Sequence, residues 1–474
     1  MRVAVISAEA VPYSKTGGLG DVAGALPKAL KNVGVDSVLI TPCYLQTKGE
    51  YLWNTAIDDL NVDWRGGSYP AKAFYSEASG SPTFLIDAPS YFHRDSIYGY
   101  TEDYERFAFF NHAALVLLNR IGAPPDIVHL NDWHCGFAAV EIAAARRWDS
   151  YWRNSRTVFS IHNMAYQGGF GMSQLWDLGF GSEFARNAFS FDGYASAMKA
   201  GLEISDTLST VSRRYSREIQ TAENGYGLEW LARQRANRLI GITNGVDYEV
   251  WDPATDKDIP AHFNIDDLSG KRECKRELLE TFSLPINLDR PILANITRLT
   301  AQKGIDLMMQ VAGEILETGA YIISLGSGEK RYEDFWQSLR NYAPQQVGIY
   351  RGYSEPLAHK IEAGADMFLM PSKFEPCGLN QMYSLRYGTV PIVRAVGGLD
   401  DTVQNFDAVN GTGNGFKFGP YRADRFLERI YEALFDYADP QTWRKIQRNG
   451  MAVDNSWENA ARKYVELYEW TRSN

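Results

Sequence analysis

Residues 2–8, RVAVISA, form a short unbroken apolar run, and residues 21–31 carry Val22, Leu26 and Leu30 at helical spacing. A run of that kind is how a strand buried on both faces of a parallel sheet reads. Between the two lies Lys15-Thr16-Gly17-Gly18-Leu19-Gly20-Asp21. A lysine and three glycines therefore occupy a strand-to-helix turn, and the chain is committed to an α/β architecture. Glycines in such a turn let backbone approach a ligand, and the N–H groups at a helix start favour an anion. With the charge of Lys15 added, the turn reads as a phosphate cradle. It lacks the GxxxxGK[ST] spacing of a Walker A loop and the GxGxxG of dinucleotide binding, so neither of those readings holds. Gly397-Gly398-Leu399-Asp400-Asp401 follows a second strand-like run, 389–393, and repeats the glycine pattern. The repetition predicts two related α/β domains that face one ligand.

At 474 residues the chain exceeds what one hydrophobic core usually serves, so two domains are expected. Strand-like runs at 82–86, 126–130, 157–161 and 207–211, then 291–296, 321–325, 347–350, 366–370 and 389–393, alternate with helical ones. That rhythm predicts parallel sheets with helices on both faces. The expected boundary falls near residues 244–260, where Asn244-Gly245-Val246-Asp247 marks a turn and a charged, proline-bearing linker follows. The expected domains are 1–246 and 247–454, with a helix over 455–474.

Net charge is −10, which argues against nucleic acid or an anionic membrane as the main partner and leaves a neutral polymer unrepelled. No run is apolar enough to span a membrane, and Met1 leads straight into a strand rather than into a signal peptide, so a cytoplasmic location is expected, or a plastid stroma if a transit peptide was removed. Four cysteines without a CxxC fit a reducing compartment and no structural zinc. Aromatic residues reach 13%, a load that suits stacking on sugar rings as well as core packing.

Ligands of parallel sheets bind beyond the carboxyl ends of the strands. The polar residues there are Asn131-Asp132-Trp133-His134, His162-Asn163, Arg298 with Lys303, Gly326-Ser327-Gly328, and the stretch 371–380 that carries Glu375. Arg298 and Lys303 can grip one diphosphate, one as a planar fork and one as a point charge. A helix opening at 378–381 offers N–H groups to the same phosphate. Glu375 suits sugar hydroxyls or support of a cationic sugar centre, or a carboxylate at a helix terminus. His129 and His134 are expected on different faces of a strand end, and Asp256-Lys257-Asp258 is expected to be a solvated loop, so no metal site is expected.

KTGGLGDVAGALPKAL, HLNDWHCG, IHNMAYQG, ITNGVD, NITRLTAQKG, RGYSEPLAHKI and PSKFEPCGLNQMYSLRYGTVP follow one another along nearly the whole chain and resemble the bacterial glycogen synthases and plant starch synthases. The resemblance implies the GT-B fold, two Rossmann-like domains with parallel sheets facing a deep interdomain cleft, and a last helix that crosses back to the first domain. It implies an enzyme that moves glucose from ADP-glucose to the 4-hydroxyl of an α-1,4-glucan such as glycogen or a maltooligosaccharide, with retention and with no metal or other cofactor. By motif it places Lys15, Gly17 and Gly18 in the donor loop, and Asp132 and His162 on the glucosyl unit. It makes Arg298 and Lys303 the diphosphate clamp, Glu375 with Cys377 the acid motif, and Gly378, Leu379 and Asn380 the helix-start contacts. Tyr353 is expected on the adenine and Asn244 among the substrate contacts. Three rival readings share the fold: a synthase with a small sugar acceptor, a nucleotide-sugar epimerase, and a non-catalytic glucan binder, the last disfavoured by an intact phosphate clamp.

Overall fold

The computed structural model describes residues 1–52 and 54–474. The chain divides into two compact units, residues 1–245 with 457–474, and residues 246–456.

The first unit is built on a nine-stranded sheet. Arg2–Ile6 lies in it with Asp36–Pro42 on one side and Ile127–Asn131 on the other, all parallel. Thr83–Asp87 continues beyond Asp36–Pro42, while Arg156–Ile161, Thr207–Thr210 and Leu239–Gly241 continue beyond Ile127–Asn131. Lys72–Ser76 and Thr55–Ile57 finish one edge in antiparallel pairing. These two strands are short and only Ala73 in them is buried, so they carry no long apolar run. The helix Gly18–Asn32 packs its Val22, Leu26 and Leu30 stripe against the terminal helix Trp457–Ser473 and the face of Val3 and Val5. His129, fully buried in the sheet, bonds the Tyr468 hydroxyl through Nδ1 and the Ser160 hydroxyl through Nε2. Thr471 adds a bond to Thr207. Polar pins and apolar burial together hold the C-terminal helix to this unit.

The second unit has a six-stranded parallel sheet. Its spatial order is Val347–Arg351, Tyr321–Gly326, Ile292–Ile296, Met367–Met370, Val390–Arg394 and Phe416–Phe418. In sequence order that is 3-2-1-4-5-6, the doubly wound arrangement, with its direction reversing between Ile292–Ile296 and Met367–Met370. The parallel part of the first unit runs the same way and reverses between Arg2–Ile6 and Ile127–Asn131. A crevice for ligand opens at such a reversal, because the flanking connections leave on opposite faces of the sheet.

This topology corrects one expectation. The two glycine patterns are not equivalent turns: Gly17-Gly18 follows the first strand of its sheet, whereas Gly397-Gly398 follows the fifth strand of the other. The counterpart of the Lys15 turn is the Arg298–Lys303 turn, which shares no motif with it. The domains are related by strand order, not by the repeated motif.

Among the described residues no helix is long and apolar enough to cross a membrane. Cys43, Cys135, Cys274 and Cys377 are all buried, and none is joined in a disulfide.

Candidate active site

In the second unit the two turns at the sheet reversal are laced together. Lys373 N–H donates to the Gln302 carbonyl at 2.7 Å, and the Gln302 amide returns a bond to the Phe374 carbonyl at 3.2 Å. Within that frame Lys303 Nζ meets Glu375 Oε2 at 2.6 Å, and the Ser372 hydroxyl donates to the same oxygen at 3.1 Å. Both charged side chains are largely buried, 18% and 9% exposed. A cation and a carboxylate so placed can each take one pole of a breaking glycosyl–phosphate bond. Arg298 is exposed, and no side-chain partner for its guanidinium is found among the described residues.

The Glu375 turn is braced from behind by the second glycine pair. Gly397 has φ +42, and a β-carbon there would stand 1.9 Å from the Glu375 carbonyl oxygen. Gly398 N–H bonds the Glu375 and Pro376 carbonyls at 3.3 and 3.1 Å. Gly397-Gly398 thus lets backbone close against the acid turn. Likewise Gly326-Ser327-Gly328 packs on the 297–299 segment through the Leu299–Gly328 bridge.

The helix expected at 378–381 starts at Asn380 and is short, Asn380–Arg386. Gly378 has φ +73, and Leu379 stands at the N-cap. The Asn380 amide nitrogen donates to the Ile296 carbonyl at 2.7 Å, fastening this helix start to the first strand of the sheet. Cys377 is buried, with its carbonyl bonded by Gln381. Tyr353, after the strand Val347–Arg351, is 66% exposed.

In the first unit Asp132 and His162 come together. The Asp132 carboxylate faces the N–H groups of His162, Asn163 and Trp133, with the His162 bond at 3.3 Å. His162 Nε2 pairs with the Asn131 amide oxygen at 3.0 Å. Burial pushes Asp132 up to about 8 and holds His162 down to about 4. Burial thus favours the uncharged form of each: a carboxylic acid that can donate and an imidazole that can do either. Asp132 also has φ +60, a region that costs a non-glycine residue on the order of 1–3 kcal/mol and marks functional turns. Asn244, 7% exposed, has an amide oxygen with no hydrogen-bond partner among the described residues, the condition of a group awaiting a ligand.

The first glycine turn departs from expectation. Lys15 Nζ pairs with Asp21 at 2.7 Å on the surface. The N–H groups of Thr16 and Gly17, expected to hold phosphate, point to the carboxylate of Glu9, at 2.5 and 3.4 Å. No cation or motif advertises Glu9 in the sequence; its partners come from residues folded back on it. Built β-carbons on Gly17 and Gly18 meet nothing, so this part of the turn is open.

Asp256 is a second correction. It is 4% exposed rather than solvated. Its Oδ2 accepts from His359 Nδ1 at 2.7 Å and from the Tyr387 hydroxyl at 2.6 Å, and its Oδ1 accepts from Asp258 N–H at 2.8 Å. Trp251 stacks between His359 and Tyr383, with centroids 3.8 and 4.0 Å away. The expected linker is in fact packed into the second unit. Asp256, Asp258 and His359 lie close enough to hold a cation, but the protein's own donors already engage the Asp256 carboxylate.

Residues 2–234 match the family described as starch synthase catalytic domain, and residues 278–450 match glycosyl transferases group 1. The chain is 42% identical to the glycogen synthase of Koribacter versatilis over 99% of this chain and 98% of that protein. It is 43% identical to that of Anaeromyxobacter dehalogenans over 99% of each. The catalytic domain of starch synthase IV from Arabidopsis thaliana, solved with ADP and acarbose, superposes with a TM-score of 0.88 at 33% identity, covering 100% of this chain and 99% of that one. Sucrose-phosphate synthase from Thermosynechococcus elongatus, at 19% identity and a TM-score of 0.62, shares the fold. With a lysine and an acid joined at the reversal of one sheet, and identity above 40% along the full length, this chain belongs to the glycogen and starch synthase family of GT-B glycosyltransferases.

Proposed function

We propose that the chain transfers glucose from ADP-glucose to the 4-hydroxyl at the non-reducing end of an α-1,4-glucan, with retention at C1. The observation that carries this reading is the Lys303–Glu375 pair at the sheet reversal of the second unit. The bond from C1 to the diphosphate breaks, the bond from C1 to the acceptor oxygen forms, and the departing ADP takes the acceptor's proton. Arg298 and Lys303 balance charge growing on the diphosphate. Glu375 faces the positive sugar centre, while Gly378, Leu379 and Asn380 border the same phosphate and sugar. Tyr353 offers a ring to adenine, and the buried amide oxygen of Asn244 accepts a hydroxyl or amine of the substrate. Asp132 and His162 hold glucosyl hydroxyls as neutral partners. With two cations on the diphosphate, the chemistry calls for no metal or organic cofactor. The bacterial relatives support a cytoplasmic setting.

The test is transfer of labelled glucose into glycogen from ADP-glucose and from UDP-glucose, each with and without chelator. Polymer-bound label from ADP-glucose, unchanged by chelator, is expected. Label from UDP-glucose alone overturns the donor, loss under chelator overturns the metal-free chemistry, and no label from either overturns the glucan synthase reading.

A further inference from the structure

We propose that Glu9 is the positioning residue of the first unit's strand-end site: its carboxylate fixes the 15–18 turn and, through Tyr98, steadies the 132–134 turn beside it. Glu9 follows the strand Arg2–Ile6 and is 3% exposed. Its Oε2 receives the Thr16 and Gly17 N–H groups, the Thr16 hydroxyl lies 3.1 Å from both oxygens, and the Tyr98 hydroxyl donates to Oε1 at 3.2 Å. The flanking backbone is held as well, by Tyr44 on the Ala8 carbonyl at 2.7 Å and by Ser7 on the Glu9 carbonyl at 2.8 Å. The Tyr98 ring lies 4.9 Å from His134, which lies 4.1 Å from Trp133, so one acid is linked to both turns at the sheet reversal.

No cation among the described residues pairs with Glu9. A buried carboxylate answered only by N–H and O–H donors is an expensive way to fasten a turn, and burial pushes its pKa up. Its position explains the expense. It takes the two N–H groups that lead into the helix Gly18–Asn32, those of Thr16 and of the N-cap Gly17, which an anion could otherwise accept. The turn is thereby preset before substrate arrives, with Lys15 and the open backbone at Gly18 left for an anionic ligand.

The assay rests on the glucosyl-transfer reading, but a second readout does not. Glu9→Gln keeps the shape and removes the charge. It is expected to speed amide exchange across residues 15–20 and to lower kcat/KM for ADP-glucose on the order of 10²-fold, the penalty of a turn misplaced by about 1 Å. The melting temperature should not fall, because a costly buried charge has gone. Thr16→Val, which deletes a surface-side hydroxyl and is expected to fold, should lose about tenfold, Thr16→Ser should recover it, and Glu9→Gln with Thr16→Val should be no worse than Glu9→Gln alone. Unchanged exchange over 15–20 in Glu9→Gln overturns the proposal whatever the parent's activity. So does a lowered melting temperature with kcat/KM per folded molecule within about threefold of the parent, which is the signature of a structural anchor. Losses that multiply in the double variant also overturn it. A parent enzyme that transfers no glucose refutes the function proposed above and leaves the exchange result to decide this one.

Discussion

Replacing Gly397 with alanine tests whether the acid turn is held in place from behind. The built β-carbon lies 1.9 Å from the Glu375 carbonyl oxygen, 2.9 Å from its carbonyl carbon and 3.0 Å from the Pro376 oxygen. Contacts of that type do not persist below 3.0 Å, so Gly397 and Glu375 must separate by roughly 1 Å. Both sides are backbone, and no rotamer change relieves the clash. The φ of +42 adds a cost of about 1 kcal/mol for an L side chain. Together with weakened Gly398 bonds, the stability loss is on the order of 2–3 kcal/mol. A 1 Å shift of a group near the reacting bond costs on the order of 10²-fold in rate. The expected result for Gly397→Ala is therefore kcat for glucosyl transfer reduced about 10²-fold, with melting lowered by several degrees. Gly313→Ala is the control: that glycine is exposed in the helix Ile305–Glu317, and its built β-carbon meets nothing. It should gain about 0.5–1 kcal/mol from helix propensity and leave kinetics alone. If folded Gly397→Ala turns over within about threefold of the parent, the bracing argument is wrong.

Further outcomes follow from the same geometry. Lys303→Met removes the cation 2.6 Å from Glu375 and should lower kcat on the order of 10²-fold; retention of near-full turnover would dismiss the clamp. Tyr468→Phe leaves His129 Nδ1 buried without a partner and should cost about 1–3 kcal/mol in urea titration, with little change in kcat. Lys15→Ala breaks only an exposed pair, so stability should move by less than about 0.5 kcal/mol while KM for ADP-glucose rises. For Asp132, the folded pKa of about 8 stands above the 3.8 of the free group, so the native state holds the extra proton. Its contribution to stability is present below pH 4 and is lost as pH rises through 8. Melting of Asp132→Asn should exceed that of the parent by a margin that grows from pH 4 to pH 8; a constant margin would show that Asp132 does not titrate in that window.

Much of the fold was legible because fully buried parallel strands are apolar along their whole length. The runs at 157–161, 321–325 and 366–370 became Arg156–Ile161, Tyr321–Gly326 and Met367–Met370. The strands Thr55–Ile57 and Lys72–Ser76 were not legible, since they are short and bury little apolar surface. The placement of Arg298, Lys303 and Glu375 after strands was readable from the runs that precede them. The pairing of Lys303 with Glu375 was not, because the residues are 72 positions apart and meet only when two parallel strands lie side by side.

The sequence by itself therefore determined the α/β rhythm, the turns that carry polar residues and, through its motifs, the family. Those are local properties: periodicity and turn chemistry act within a few residues of chain. Tertiary structure alone decided what each group does. It gave the first glycine turn to Glu9 and used the second to brace Glu375. It drew Asp256 into the core with His359 and Tyr387. It also shifted Asp132 and His162 toward their uncharged forms by burial. Hydrogen-bond partners and desolvation depend on which distant segments the sheet brings together, and residue type alone does not encode that.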